Sequence, residues 1–229
     1  MYTQHMTRQR SLFEIIGPVM VGPSSSHTAG ACRLGRLARA ILGGTPRAAR
    51  LTLHGSFATT GRGHGTDRAL MGGLLGYAPD DVRLKDALEL AEEEGLAAFT
   101  IDEADLGDVH PNTARLELTD AQGREWVVQG SSLGGGDVEV TLVDDFPVQL
   151  TGELPALVVV HHDQPGVVAA VTARLAADVI NIAGMQVSRE RRGARALMVI
   201  ETDQPVPDEV AASLAALEGV AEVRRIPAV

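Results

Sequence analysis

Aromatic side chains make up only 3% of the 229 residues, so a core has to be assembled from Leu, Val, Ile and Ala. Cysteine is scarcer still: Cys32 stands alone. One thiol forms no internal disulfide, and it cannot by itself hold an iron–sulfur cluster, which takes about four thiolates. Its apolar neighbours make it a small buried hydrophobe. Positive charge is also short. Twenty Lys and Arg face thirty Asp and Glu, for a formal net charge of −10. That balance argues against a nucleic-acid partner, which needs clustered cations against phosphate. No apolar run reaches the roughly 18 residues of a membrane span. Met1 to Arg10 is polar and lacks the apolar stretch of a signal peptide. The expectation is a cytoplasmic protein with no membrane partner.

What is present suits a soluble globular chain, with 45% hydrophobic and 22% charged residues, long enough for one large domain or two small ones. Apolar residues at helical spacing predict a helix over 31–42, stopped by Gly43-Gly44-Thr45-Pro46. Leu51–His54 alternates as a strand does, and Gly55 opens a glycine-rich loop. Thr66-Asp67 closes that loop and can cap a short helix over Arg68–Leu75. Asp80–Glu94 reads as an amphipathic helix ending at Gly95. From Leu96 to Leu150 the pattern is β, with Thr113–Thr119 and Arg124–Gln129 joined as a hairpin through 120–123, and Asp137–Val143 as a further strand.

Leu150–Pro155 reads as a linker. Beyond it the order is strand 156–160, helix 166–177, strands 180–188 and 194–201, helix 208–217 and strand 220–226. This βαββαβ order is the ferredoxin-like motif. The predicted class is α+β: a mixed α/β domain over 11–150, then a ferredoxin-like domain over 155–229.

The segment richest in chemistry is Gly22-Pro23-Ser24-Ser25-Ser26-His27-Thr28-Ala29-Gly30. Four hydroxyls and one imidazole feed a helix N-terminus, where unpaired N–H groups and the positive end of the helix dipole receive anions. A carboxylate substrate fits, with His27 as a proton carrier near neutral pH. A second segment, Gly61-Arg62-Gly63-His64-Gly65-Thr66-Asp67, lets the backbone approach a ligand. It is either a surface turn with an exposed histidine or a ligand loop. A dinucleotide loop fits poorly, because Thr66 stands where the third glycine belongs.

His110-Pro111 precedes a strand and reads as a polar start to it. Ser131–Gly136 is either a ligand loop or a flexible connection. His54 reads as a satisfied sheet residue, and His161-His162 lacks a third metal ligand. His27, His64 and His110 show no zinc-ligand spacing, so no metal site is expected. In the C-terminal half Asp163 can cap a helix. The N–H groups of Gly166 and Val167 can meet a carboxylate, with Asn181 starting the next strand.

Together these motifs resemble the β chain of the iron–sulfur-dependent L-serine dehydratases. Ser11–Leu150 is similar to the substrate domain and Pro155–Val229 to an ACT domain. The most specific motifs are Ser24–Gly30 and Gly61–Asp67. The resemblance implies a lyase that deaminates L-serine to pyruvate and ammonia through a [4Fe–4S] cluster instead of pyridoxal phosphate. The cluster cysteines belong to a partner α chain, consistent with the lone Cys32. One cluster iron would act as Lewis acid on the serine hydroxyl. Ser24, Ser25, Ser26, Thr28 and Gly63 would surround the substrate. His27 and His64 would be acid/base or orienting groups, and Asp67 would cap the helix or orient the imidazole. The ACT resemblance implies dimerisation or amino-acid sensing, with L-serine the expected effector between the Asp163–Val167 turn and the partner's Asn181. The first domain also resembles the allosteric substrate-binding domain of some phosphoglycerate dehydrogenases, which leaves a non-catalytic sensor as the alternative.

Overall fold

The computed structural model describes residues 18–229. The expectations for Met1–Arg10, and the start of the first domain at Ser11, lie outside the described residues. Two sheets carry the fold, as the α+β reading expects. The first has strand order β2-β1-β3-β4-β5-β6, built from β1 (Ala48–Leu53), β2 (Ala98–Glu103), β3 (Thr113–Thr119), β4 (Glu125–Gly134), β5 (Asp137–Val143) and β6 (Phe146–Leu150). Only the β1–β2 pair is parallel. Register aligns Ile101, Leu51, Leu116, Val128, Val143 and Phe146 into one apolar row across all six strands. In-register residues share a face, and this face is the one covered by helices.

Those helices are α1 (Ala31–Leu42) and α3 (Thr66–Leu75). α1 buries Leu34, Leu37, Ala38 and Ile41 completely, the 3.6-residue period expected of it. Each such Leu or Ile is worth about 1.5–3 kcal/mol on burial. Gly43, in the left-handed region at φ 95°, ends the helix. α1 and α3 cross at Gly35 and Gly73. A Cβ on Gly73 would lie 2.8 Å from the Gly35 Cα and would overlap the Cys32 carbonyl. The absence of side chains there sets how closely the two helices approach.

Four sequence expectations are corrected here. The glycine-rich stretch after Gly55 is helix α2 (Gly55–His64), not a loop. Gly65, left-handed at φ 71°, separates it from α3, and no side chain caps α3. Thr66 and Asp67 are therefore inside the first turn. Asp80–Glu94 is not one helix. Asp81 accepts from the Arg83 N–H at 2.9 Å and starts a 3-10 turn (Val82–Asp86), followed by the single turn α4 (Ala87–Leu90). The amphipathic spacing is nevertheless real, because Leu84, Ala87 and Ala91 are buried. Ser131–Gly134, expected in a loop, extends β4 instead.

The second sheet has order β10-β7-β9-β8, all antiparallel. Its elements are β7 (Ala156–His162), α5 (Val167–Ala177), β8 (Ile182–Arg189), β9 (Arg195–Thr202), α6 (Asp208–Ala215) and β10 (Val220–Ile226), the βαββαβ order read from sequence. One face packs α5 and α6 over Leu157, Val159, Met198 and Ile200. The other face joins the core of the first sheet through Val158, Val160, Leu197 and Val199. β7 and β9 are thus buried on both sides, which explains the unbroken apolar run of β7. Arg124 Nη2 donates to Glu222 across this junction at 2.6 Å, and Arg195 pairs with Asp144 at 3.3 Å.

Candidate active site

The serine-rich segment is a widened helical turn. Ser24 caps it in extended conformation, its Oγ accepting from the His27 N–H at 3.2 Å. Ser25–Gly30 then form a π-helical turn that runs directly into α1. Such turns recur at functional sites. Gly30 cannot carry a Cβ, because Ser132 occupies that place. Gly22, at φ 143°, packs on Thr28, and the Thr28 hydroxyl donates to the His64 carbonyl at 3.4 Å. The two motifs, 36 residues apart in sequence, are therefore one site. The His27 and His64 rings lie 5.1 Å apart, tilted by 42°.

Helix α2 supplies the rest. Ser56, Thr60 and His64 recur every four residues and so share one helix face. The Thr60 hydroxyl donates its single hydrogen to the Ser56 carbonyl at 2.8 Å. It can then only accept at its 3.0 Å contact with His27 Nε2, so that nitrogen carries a hydrogen. His27 Nδ1 is left as acceptor, taking the Ser26 hydroxyl at 3.0 Å. Both ring nitrogens of His27 are occupied. His64 differs: its Nδ1 faces the Thr60 carbonyl at 3.0 Å. A carbonyl only accepts, so Nδ1 carries a hydrogen, and in the neutral ring the lone pair lies on Nε2. Ser56 and Thr60 were not foreseen from sequence.

Electrostatics separates the two rings further. Burial pushes the His27 pKa below its ordinary value, opposed by a hydrogen bond with Ser56 and helped by the neighbouring His64. His27 is 9% exposed and its ring edge meets the buried Phe57, with ring centroids 5.3 Å apart. His64 lies exposed on the surface. The arrangement is an exposed imidazole beside a buried, hydroxyl-held one. A cavity of about 300 Å³ opens beside it, lined by Thr28, Gly63, His64 and Gly65 among others. A larger cavity, about 490 Å³, lies at the β1–β4 end of the sheet around Trp126 and contains none of these groups.

The remaining predicted residues fall as follows. The Ser24 and Ser26 hydroxyls turn inward to each other at 3.3 Å and to His27. Ser25 sits half-buried in the π turn. Asp67 accepts from the Arg68 N–H at 2.8 Å, while His64 Nδ1 is held by Thr60. His54 Nδ1 accepts from the Leu106 N–H at 3.0 Å, and His110 Nδ1 from the Asn112 N–H at 3.1 Å. Asp163 does not cap α5. Its carboxylate accepts from the Gly193 N–H at 3.0 Å and from Arg189 at 3.1 Å, bonds that hold its pKa below the usual carboxylate value. Gly166 starts α5 at φ 95° ahead of Val167, and Asn181 donates to Asp203 at 2.6 Å.

Among the described residues no group of three or more His, Cys, Asp or Glu could hold a metal ion. Cys32 is fully buried, its thiol pushed up to about 12 by that burial and donating to the Tyr77 carbonyl at 3.3 Å. A group that binds as the thiolate finds none here, so an iron–sulfur cluster does not fit on this chain's own residues.

Residues 11–97 match the family model described as serine dehydratase beta chain, and residues 156–219 match the ACT domain model. The chain is 44% identical to the probable L-serine dehydratase, beta chain, of Bacillus subtilis over 220 residues, 96% of this chain and 99% of that one. It is 37% identical to the L-serine dehydratase, beta chain, of Peptoniphilus asaccharolyticus over 209 residues, 91% of this chain and 94% of that one. The D-3-phosphoglycerate dehydrogenase of a Synechocystis species is 28% identical over 188 residues, 82% of this chain but 34% of its own.

Proposed function

The chain belongs to the L-serine dehydratase β-chain family, and on that premise we propose that it is the β subunit of an L-serine ammonia-lyase. The complex deaminates L-serine to pyruvate and ammonia, and this subunit works only with an α subunit. The [4Fe–4S] cluster is held by that α subunit, in keeping with the buried protonated thiol of Cys32; pyridoxal phosphate is not used.

The observation that carries the reading is the His27–His64 pair. His64 Nε2, open to solvent with its lone pair free, accepts the Cα proton of the substrate. The Thr60 carbonyl holds the ring in the competent tautomer. His27 is a positioning residue. Neutral and bonded at both nitrogens, it fixes Thr60 and the Ser24–Ser26 turn and places no second positive charge beside the base. Thr28 ties the backbone of His64 to the π turn. Gly63 leaves the cavity wall open beside the base, and nothing meets a Cβ built there. Asp67 steadies the head of α3. A passive sensor has no need of an exposed imidazole with a fixed tautomer, which favours the enzyme over the phosphoglycerate-dehydrogenase-like regulatory module.

We place the division at 11–150 and 155–229, with the C-terminal unit as dimerisation and sensing module. Edge strand β8 exposes Met185 and Val187 at 44% and 43%, an apolar row suited to a second copy. L-serine is the proposed effector, bound by the N–H groups of Gly166 and Val167 near Asp163, with Asn181 from the partner. With a net charge of −10, no nucleic acid is expected. Among the described residues no helix is long and apolar enough to cross a membrane, and the proposed location is the cytoplasm. The test is to co-express the chain with an iron–sulfur α subunit and measure pyruvate from L-serine. Near-normal turnover in both His64→Ala and His27→Ala overturns the site assignment.

A further inference from the structure

The cavity beside His64 has walls of one sign. Arg62, Arg68 and Lys85 line it and no carboxylate does, on a chain whose net charge is −10. Neither Arg62 nor Lys85 has an ion pair or side-chain hydrogen bond among the described residues. Arg68 meets Glu89 only at 3.8 Å, and its Nε is buried without a hydrogen-bond partner. The start of α3, which no side chain caps, borders the same space at Gly65. A cleft lined by like charges focuses its field on the opposite charge, and guanidinium groups match the planar carboxylate.

We propose that this cavity is the subsite for the carboxylate of a small amino acid or hydroxy acid, with Arg62, Arg68 and Lys85 as its binding groups. The proposal rests on the reading of His64 as the base. The carboxylate carbon is bonded to the carbon that loses its proton, so the anion site has to adjoin the base, and His64 lines the same cavity. It moves the anion from where the sequence suggested. The hydroxyls of Ser24 and Ser26 are engaged with His27, and of the four hydroxyl residues only Thr28 reaches this wall. The site selects for a free carboxylate and against its neutral amide.

Lys85 is the one lysine of the chain, so lysine-selective ¹³C labelling yields a single side-chain NMR reporter inside the cavity. Titrating L-serine into the full chain should shift this signal saturably, and serinamide should not. Arg62→Gln should weaken L-serine binding about tenfold, the equivalent of about 1.4 kcal/mol, with recovery in Arg62→Lys. No shift with L-serine, an equal shift with serinamide, or wild-type binding by Arg62→Gln overturns the subsite. Pyruvate formation by the two-chain complex is read separately. An inactive wild-type complex sinks the proposed function and leaves the binding result to decide the subsite.

Discussion

The backbone carbonyl of Thr60 meets His64 Nδ1 at 3.0 Å, and the hydroxyl of the same residue meets His27 Nε2 at 3.0 Å. One residue therefore sets the tautomers of both rings, and the two histidines receive unequal roles. His64→Ala removes the only ring nitrogen with a free lone pair at the site. In the two-chain complex kcat should fall by about 10²–10⁴-fold, the usual contribution of a positioned base. His27→Ala removes support alone and should cost less. Pyruvate assays of the two variants in parallel check the ranking, and a greater loss in His27→Ala reverses it.

Thr60→Val keeps the carbonyl and deletes the hydroxyl. The His64 tautomer survives, while His27 Nε2 keeps only Ser56, at 3.2 Å. The expected outcome is a loss of about tenfold in kcat with KM little changed, and recovery in Thr60→Ser. ¹⁵N spectra of the imidazoles should report a change at His27 and constancy at His64.

Ser56 and Thr60 are not legible as site residues in the sequence, because the glycine-rich stretch from Gly55 reads as a loop. Gly61 and Gly63 argue locally against a helix. Tertiary contact overrides that preference: the Ser56 N–H donates to the Pro111 carbonyl at 2.8 Å, and Phe57 is completely buried in the core. The signal was present as Ser56, Thr60 and His64 at four-residue spacing. Where pattern and tertiary demand agree, as in α1 and β10, the expected bounds are those observed. The sequence singles out both His27 and His64, and the structure brings their rings to 5.1 Å. Which one keeps a free lone pair is not legible in the sequence, because it depends on a hydroxyl hydrogen spent within α2.

The lowered pKa of buried His27 makes the fold sensitive to acid. The folded state binds this proton less readily than the unfolded chain, so the contribution to stability is complete above the ordinary value of 6.5 and is lost as pH falls through the lowered folded value. Urea midpoints should decline below pH 6.5, and His27→Gln should flatten that decline. An unchanged pH profile in the variant removes His27 as the cause.

At the helix crossing, Gly73→Ala puts a methyl group against the Gly35 Cα and the Cys32 carbonyl. Backbone atoms on α1 cannot swing aside as a side chain can, so the helices have to separate. The expected cost is about 3 kcal/mol, read as a lower thermal midpoint. The same substitution at Gly63, where nothing lies within 4 Å, should change stability by less than about 1 kcal/mol.

The two sheets share one core, and this predicts one unfolding transition for the described fold. Leu197 belongs to the C-terminal sheet but is buried at 1% exposure against the core of the first. Trp126, the single tryptophan, lies in β4 of the first sheet, with the Arg224 guanidinium of the C-terminal sheet 5.8 Å from its ring. Leu197→Ala should cost about 2–5 kcal/mol and move the tryptophan fluorescence transition and the far-ultraviolet circular dichroism transition together. A tryptophan midpoint that stays at its wild-type value while the circular dichroism curve splits would mean that the halves unfold independently. In the coupled case, a ligand that binds the folded ACT unit also stabilises the helical segments that carry His27 and His64, by mass action on the shared folded state. Calorimetric titration of L-serine is therefore best done on the full chain. A fragment of 155–229 would leave Val158, Val160, Leu197 and Val199 facing water and lose the contacts that fix its sheet.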